Sequence, residues 1–216
     1  MSTARLICIE GIDGAGKTTL VDTLSKRLGQ AGLQVVSLHL PSFQEPDLAD
    51  DPGGHDRRQL TVQELAFVAY SRLYDFYLTE MVPLLESNDL LLMDRYKWSY
   101  LVRWACRDVR WSVLTALGAM TRLLPEPAHT VLLTADPFSA YRRKKDAGLA
   151  LTPAETVGRR SSQSEREAFV NLQSRAIGYY GALFDQAELG CATCIDSKVG
   201  EIAVAAAVEP LIRRLL

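Results

Sequence analysis

Eight consecutive residues near the start of the chain, Gly11-Ile12-Asp13-Gly14-Ala15-Gly16-Lys17-Thr18, place a glycine, four free positions and then Gly-Lys-Thr. That spacing fits a phosphate-binding loop. Gly11 and Gly16 let the backbone turn tightly and bring its N–H groups against phosphate oxygens. Lys17 supplies a point charge for the β- and γ-phosphates of a nucleoside triphosphate, and the Thr18 hydroxyl can ligate Mg²⁺. A second constellation stands at Asp94-Arg95. Asp94 closes an apolar run, a position from which a carboxylate can hold Mg²⁺ directly or through water. Arg95 sets a guanidinium beside it, and its fork suits the phosphate oxygens of an acceptor group. The plainer reading of this pair is a structural ion pair at a strand end.

These residues need elements to position them. Arg5–Ile9 is an apolar run that reads as a buried strand, and Leu20, Val21, Leu24 and Leu28 give one apolar face to a helix starting near Lys17. The loop therefore joins a strand's end to a helix N-terminus, where free N–H groups and the dipole favour an anion. Gln34–Leu40 reads as a second strand, Leu90–Met93 as a third ending at Asp94, His129–Ala135 as a fourth, and Ala192–Asp196 as a fifth. Between them, Thr61 with Glu64 forms a capping box for a helix to about Glu80, with a bend expected at Pro83. Helices are expected over roughly Leu101–Leu124, over Pro137–Lys145, over Glu165–Glu188 and from the fifth strand to the C-terminus. Two polar stretches rich in turn residues, about 41–60 and Ala147–Ser164, read as a long mobile loop and a second mobile segment. Short apolar strands alternating with helices predict a parallel sheet covered on both faces, with ligands gathering at the carboxyl ends of the strands.

The chain's 216 residues, 48% hydrophobic and 23% charged, fit one ordinary globular domain, residues 1–216. A net charge of −2 argues against a nucleic-acid partner held by bulk electrostatics. No apolar run approaches a membrane span, and the N-terminus enters a strand within a few residues. No signal peptide is expected, and the predicted address is the cytoplasm. Among the four cysteines, Cys8 reads as a small buried residue. Cys191 and Cys194 have the spacing of a metal or redox pair, but a structural zinc would need two more ligands. The role of that pair stays open on sequence grounds.

Leu6–Thr19 (LICIEGIDGAGKTT), with Asp94-Arg95-Tyr96 and then Ser99, resembles the thymidylate kinases. The similarity runs nearly full length, through Ala66–Arg72, Leu133–Lys145, Glu165–Leu183 and Cys194–Asp196 with the final helix. The resemblance implies a three-layer α/β P-loop kinase fold: a five-stranded parallel sheet flanked by helices, with a lid at about 142–164. It implies ATP with Mg²⁺ as donor, a nucleoside monophosphate as acceptor, and a homodimer. Gly11, Asp13, Gly14, Ala15, Gly16, Lys17, Thr18 and Thr19 would then bind ATP, and Thr18 and Asp94 the metal. Asp13 would also face the acceptor sugar and phosphate, Arg95 would hold the acceptor phosphate, Arg72 would reach the base, and Arg142 would cover the transferring phosphoryl group. Gly14 stands where some members carry an arginine, so the stabilising cation is expected from the lid, among Arg142, Arg143, Lys144, Lys145, Arg159 and Arg160. The plainer reading of this charge run is a solvated helix end.

Departures from the family pattern cluster in the acceptor pocket. Leu40-Pro41-Ser42-Phe43 replaces a segment that usually carries an arginine, and Val68 stands where a phenylalanine stacks on thymine. Val102-Arg103-Trp104, with Tyr100 nearby, replaces a common Ala-Tyr. Losing one aromatic stack costs roughly 1–3 kcal/mol, and Phe43 or Tyr70 is the candidate replacement, although the stripe Phe67, Tyr70, Tyr74 and Tyr77 also reads as core. The expectation is a kinase with altered acceptor specificity, so that Phe43, Val68, Tyr100 and Arg103 define the acceptor wall. One alternative is a kinase of a modified nucleotide or other small phosphorylated metabolite, for which the Arg103 cation argues. Another is an NTP-dependent switch or assembly ATPase, which the absence of a guanine-reading Asn-Lys-x-Asp run disfavours.

Overall fold

The structure, a computed structural model, describes residues 5–40, 60–185 and 192–216. Five strands, β1 (Arg5–Gly11), β2 (Val35–His39), β3 (Leu90–Asp94), β4 (His129–Thr134) and β5 (Ala192–Asp196), form one sheet in the order β2-β3-β1-β4-β5. Every pairing is parallel. β1 lies at the centre because it is apolar on both faces; Leu6 through Ile9 are buried. Its register sets Ile9 beside Asp94 of β3 and Gly11 beside Leu133 of β4. The loop that follows β1 and the acid that ends β3 therefore leave the sheet at one edge. His39 is level with Asp94 on the other side of β3.

α1 (Lys17–Gln30) presents Leu20, Val21, Leu24 and Leu28 to the core, the face expected from their spacing. Its N-cap is Gly16 at φ +94°, which has no side chain to occupy the first-turn N–H groups. α2 (Val62–Phe76) starts with the predicted capping box: Glu64 N–H donates to Thr61 Oγ1, and Thr61 N–H to Glu64 Oε2 at 2.8 Å. It runs through one π turn, Tyr77–Met81, into α3 (Val82–Ser87). Pro83 lies in the first turn of α3, where its missing N–H is tolerated, so the interruption precedes the proline.

The single stretch expected over Leu101–Leu124 is instead two helices. α4 (Lys97–Ala105) begins four residues earlier than expected, and α5 (Trp111–Thr121) follows a break at Asp108, whose φ is +57°. The early start has a tertiary cause. Buried Glu10, at the end of β1, accepts from Tyr96 N at 3.0 Å and Ser99 N at 3.3 Å, capping α4 from another element. α6 (Pro137–Asp146) is capped by Asp136, whose Oδ2 accepts from Ser139 N at 2.7 Å. α7 (Glu165–Asp185) and α8 (Glu201–Arg213) complete the cover. The expected end of α7 at Glu188, the loop 41–59 and Cys191 lie outside the described residues. Cys194 is described as an exposed free thiol.

Candidate active site

At the carboxyl edge of the sheet a cavity of about 510 Å³ is lined by Gly11, Asp13, Gly14, Gly16, Lys17, Thr18, Thr19, Asp94, Arg95 and Arg103. Ten residues singled out from the sequence thus meet in one space. Lys17 is not solvent-facing: it is 5% exposed, and its Nζ donates to Ile12 O at 2.6 Å. Burial and the neighbouring Arg95 charge pull its ammonium pKa from 10.5 down to about 7. Thr18 Oγ1 donates to Asp94 Oδ2 at 2.5 Å, which leaves the hydroxyl lone pairs free for a cation. His39 Nδ1 lies 3.1 Å from the same Oδ2. Asp94 Oδ1 is buried with no hydrogen-bond partner. Burial raises the Asp94 carboxyl, but its bonds to His39 and Thr18 and the Lys17 charge outweigh that, and the net shift is downward.

An orphaned, ionised oxygen beside a hydroxyl that has given its proton away fits a hard divalent cation. Among the described residues no cluster of three histidine, cysteine or carboxylate side chains is present. The remaining ligands of a Mg²⁺ ion at Thr18 and Asp94 would therefore be phosphate oxygens and water, the usual state of bound Mg²⁺.

Arg95 is held from three sides. It pairs with Asp13 Oδ1, donates from Nη1 to Gly11 O at 3.0 Å, and reaches Ser99 Oγ at 3.3 Å. Its φ of +70° is unusual for a residue with a Cβ, and that turn folds the guanidinium back over the loop. Its own N–H is fixed to Ile9 O at 3.0 Å. Gln173 of α7 grips Asp13 twice at 3.0 Å, donating from Nε2 to Oδ2 and accepting the Asp13 N–H at Oε1. Burial raises the Asp13 carboxyl, yet Arg95 and Lys17 outweigh it and bring the pKa to about 2.

Beneath Arg95 lies a buried polar hub. Ser99 Oγ donates to Glu10 Oε2 and lies 2.7 Å from the Tyr180 hydroxyl, which reaches Glu10 Oε2 at 3.1 Å. Burial raises the Glu10 carboxyl, with the Ser99 bonds opposing. Glu10, Gln173 and Tyr180 escaped the reading of the motifs. A usable signal existed only for the last two, which lie seven apart on a helix and so share a face.

The segment expected as a lid lines the cavity with Leu149, Thr152, Ala154, Glu155 and Val157. It carries a 3₁₀ turn, Pro153–Glu155, and Glu155 joins it to α6 through Lys144 Nζ at 2.6 Å. Arg143 and Lys144 line the cavity; Arg142 does not. Arg142 faces a neighbouring cleft of about 540 Å³ together with Ala15, Gly16, Thr19 and Arg143, opposite Ser197–Glu201. The reason is helical phase: one residue along α6 turns a side chain by about 100°. Gly14 has φ +76°, and a Cβ there would come 2.6 Å from Ala140 O of α6. The close approach of α6 thus leaves no room for a loop arginine.

The expected acceptor wall is brought together only in part. Arg103 lines the cavity, as do Cys106 and Arg107 of the turn that follows α4. Tyr100 does not: it is 1% exposed and donates to Ala66 O at 2.5 Å, which fixes α4 on α2. Tyr70 is likewise core, donating to Met120 O at 2.7 Å. Val68 and Arg72, on α2, are not in the described wall of this cavity. Phe43 lies outside the described residues.

A thymidylate kinase family model matches residues 9–173. A probable thymidylate kinase of Archaeoglobus fulgidus is 29% identical over 152 residues, covering 70% of this chain and 74% of that protein. Thymidylate kinases of Xanthomonas oryzae pv. oryzae and Xanthomonas campestris pv. campestris are each 31% identical over 157 residues, covering 70% of this chain. The match spans 65% of the length of either Xanthomonas protein, just under two thirds. The family match takes in the phosphate loop, Asp94-Arg95, the segment 142–164 and Gln173, most of the residues that line the cavity. The chain belongs to the thymidylate kinase family of ATP-dependent nucleoside monophosphate kinases.

Proposed function

We propose that this chain transfers the γ-phosphoryl group of ATP to the phosphate of a nucleoside monophosphate. The observation that carries this reading is the convergence of Lys17, Thr18–Asp94 and Arg95–Asp13 on one lidded cavity. An acceptor phosphate oxygen attacks the γ-phosphorus as the bond to the bridging oxygen of ADP breaks, so the protein's task is positioning and charge compensation. The loop N–H groups and Lys17 hold the donor phosphates. Lys17 exchanges its Ile12 carbonyl partner for phosphate oxygens. Arg95 turns its fork to the acceptor phosphate, held in place by Asp13 and Ser99. Mg²⁺, held at Thr18 and Asp94, would neutralise charge on the β- and γ-phosphates. Arg143 and Lys144 bring lid charge to the transferring group, and the lid residues exclude water that would otherwise hydrolyse ATP. The cleft between α6 and Ser197–Glu201 takes the donor nucleoside. The homodimer implied by the resemblance belongs to the same reading, with light scattering as its check.

The acceptor is not thymidine monophosphate by preference. A cation, Arg103, enters the wall, and Val68, which the resemblance sets where a ring stacks on thymine, has no ring and does not line the cavity. A modified nucleotide or another small phosphorylated metabolite is the second reading, favoured by that cation. An ADP-release assay across nucleoside monophosphates tests both. Stimulation by a small acceptor is expected. Slow turnover indifferent to every acceptor would instead support a switch ATPase, and efficient use of thymidine monophosphate would return the chain to ordinary thymidylate specificity.

A further inference from the structure

Past the phosphate end, the cavity wall carries two further cations, Arg103 and Arg107. Its described lining holds six lysine and arginine side chains against three carboxylates. Each carboxylate is already engaged: Asp13 by Arg95, Glu155 by Lys144, and Asp94 by Thr18 and His39. Among the described residues no carboxylate lies within ion-pair distance of Arg103. The side chain is half-buried, and burial together with the Arg95 charge pulls its pKa down, with the more distant Asp13 carboxylate opposing without offsetting them. Such a guanidinium is held at a cost until an anion meets it.

Ser99 and Arg103 lie four residues apart on α4 and both line the cavity, a step of about 6 Å, and Arg107, in the turn after the helix, lines it too. Ser99 Oγ touches Arg95 at the acceptor-phosphate end. The Arg107 guanidinium lies 5.0 Å from the Trp104 ring centroid. The facing wall on α7 offers Arg103 no anion. Leu172 and Ala176 are apolar, the Gln173 amide is committed to Asp13, and the Tyr180 hydroxyl to Ser99 and Glu10.

We propose that Arg103, with Arg107 beside it, forms a second anion subsite. The preferred acceptor then carries, besides the phosphate to be extended, a second phosphate or carboxylate roughly 6 Å or more away, on the side of Arg103. This rests on the nucleotide-kinase reading above and specifies its acceptor. A doubly anionic acceptor satisfies the guanidinium, whereas a singly anionic one of similar shape leaves it unpaired, so the subsite discriminates as well as binds.

Two matched pairs of acceptors separate the possible sources of the charge. Uridine and orotidine 5′-monophosphates differ by a carboxylate on the base. A deoxynucleoside 5′-monophosphate and its 3′,5′-bisphosphate differ by a phosphate on the sugar. With ATP and Mg²⁺, kcat/KM is measured for all four in the wild type, Arg103→Gln and Arg103→Lys, with thermal unfolding as the check on folding. In at least one pair the wild type is expected to favour the doubly anionic member by about tenfold or more. That ratio falls towards one in Arg103→Gln and is partly kept in Arg103→Lys. Turnover of the plain mononucleotides with no preference in either pair overturns the subsite and leaves the kinase standing. A preference that survives Arg103→Gln overturns it too. If no acceptor stimulates ADP release in the wild type, the kinase reading itself fails, and the subsite with it.

Discussion

The two ends of the cavity are built on different principles. At the phosphate end, Lys17, Thr18, Asp13, Asp94 and Arg95 are cross-linked by short hydrogen bonds to backbone carbonyls and to each other, and the strained Arg95 backbone is fixed on both sides. At the proposed acceptor end, Arg103 of α4 lines the cavity with Arg107 of the turn that follows, and Tyr100 turns away into the core. Groups that must meet a reacting phosphoryl group within a fraction of an ångström need several constraints each. Groups that choose among acceptors can be exchanged along a helix face without disturbing that network. On the proposed function, this difference is what would let an intact phosphate site coexist with an altered acceptor wall.

The comparison breaks first at Lys17. Lys17→Ala should lower kcat by about 10³-fold, the scale of a preorganised charge at a transferring group. Because the buried ammonium is held below its ordinary pKa, its removal should leave the melting temperature at pH 7 unchanged or raised. A folded variant with normal turnover would remove the loop from the chemistry. Next in size is Arg95→Ala, expected to reduce kcat/KM for the acceptor by about 10²-fold with ATP affinity little changed. Weakened ATP binding with an unchanged acceptor KM would move Arg95 to the donor side.

A sharper division lies within the lid helix. Arg143 lines both the transfer cavity and the neighbouring cleft, whereas Arg142 lines only the cleft. Arg143→Ala should therefore lower kcat about tenfold more than Arg142→Ala; equal effects would show that the lid closes differently around substrates. The smallest effect is a proton. Lys17 titrates near 7 in the folded chain and near 10.5 when unfolded, so the unfolded chain binds more protons between these values. Its destabilising contribution is full below pH 7 and fades as pH rises towards 10. Phosphate oxygens restore the charged amine, so binding of ATP with Mg²⁺ at pH 8 should draw in a proton. Calorimetry in two buffers of different ionisation heat reads this directly, and Lys17→Met should abolish it. Proton release, or none, would mean that the amine is already charged before the phosphates arrive.

The amino-acid sequence by itself determined the five strands, the apolar face of α1, the capping box at Thr61–Glu64 and the phosphate loop. Each depends on local spacing: apolar runs, a periodicity of 3.6, or glycines at fixed intervals. It also identified Asp94-Arg95, because the acid ends an apolar strand. The start of α4 was not legible, since its cap, Glu10, comes from a strand more than eighty residues earlier and becomes a neighbour only through the pairing of β1 with β3. Tyr100 and Arg103 lie three residues apart and both read as acceptor wall, yet one is core and the other lines the cavity. Helix phase against α2 and α7 decided that, as it decided between Arg142 and Arg143 on α6. Spacing along a chain fixes which residues share a face, and only the packing of elements from distant parts of the chain fixes what that face meets.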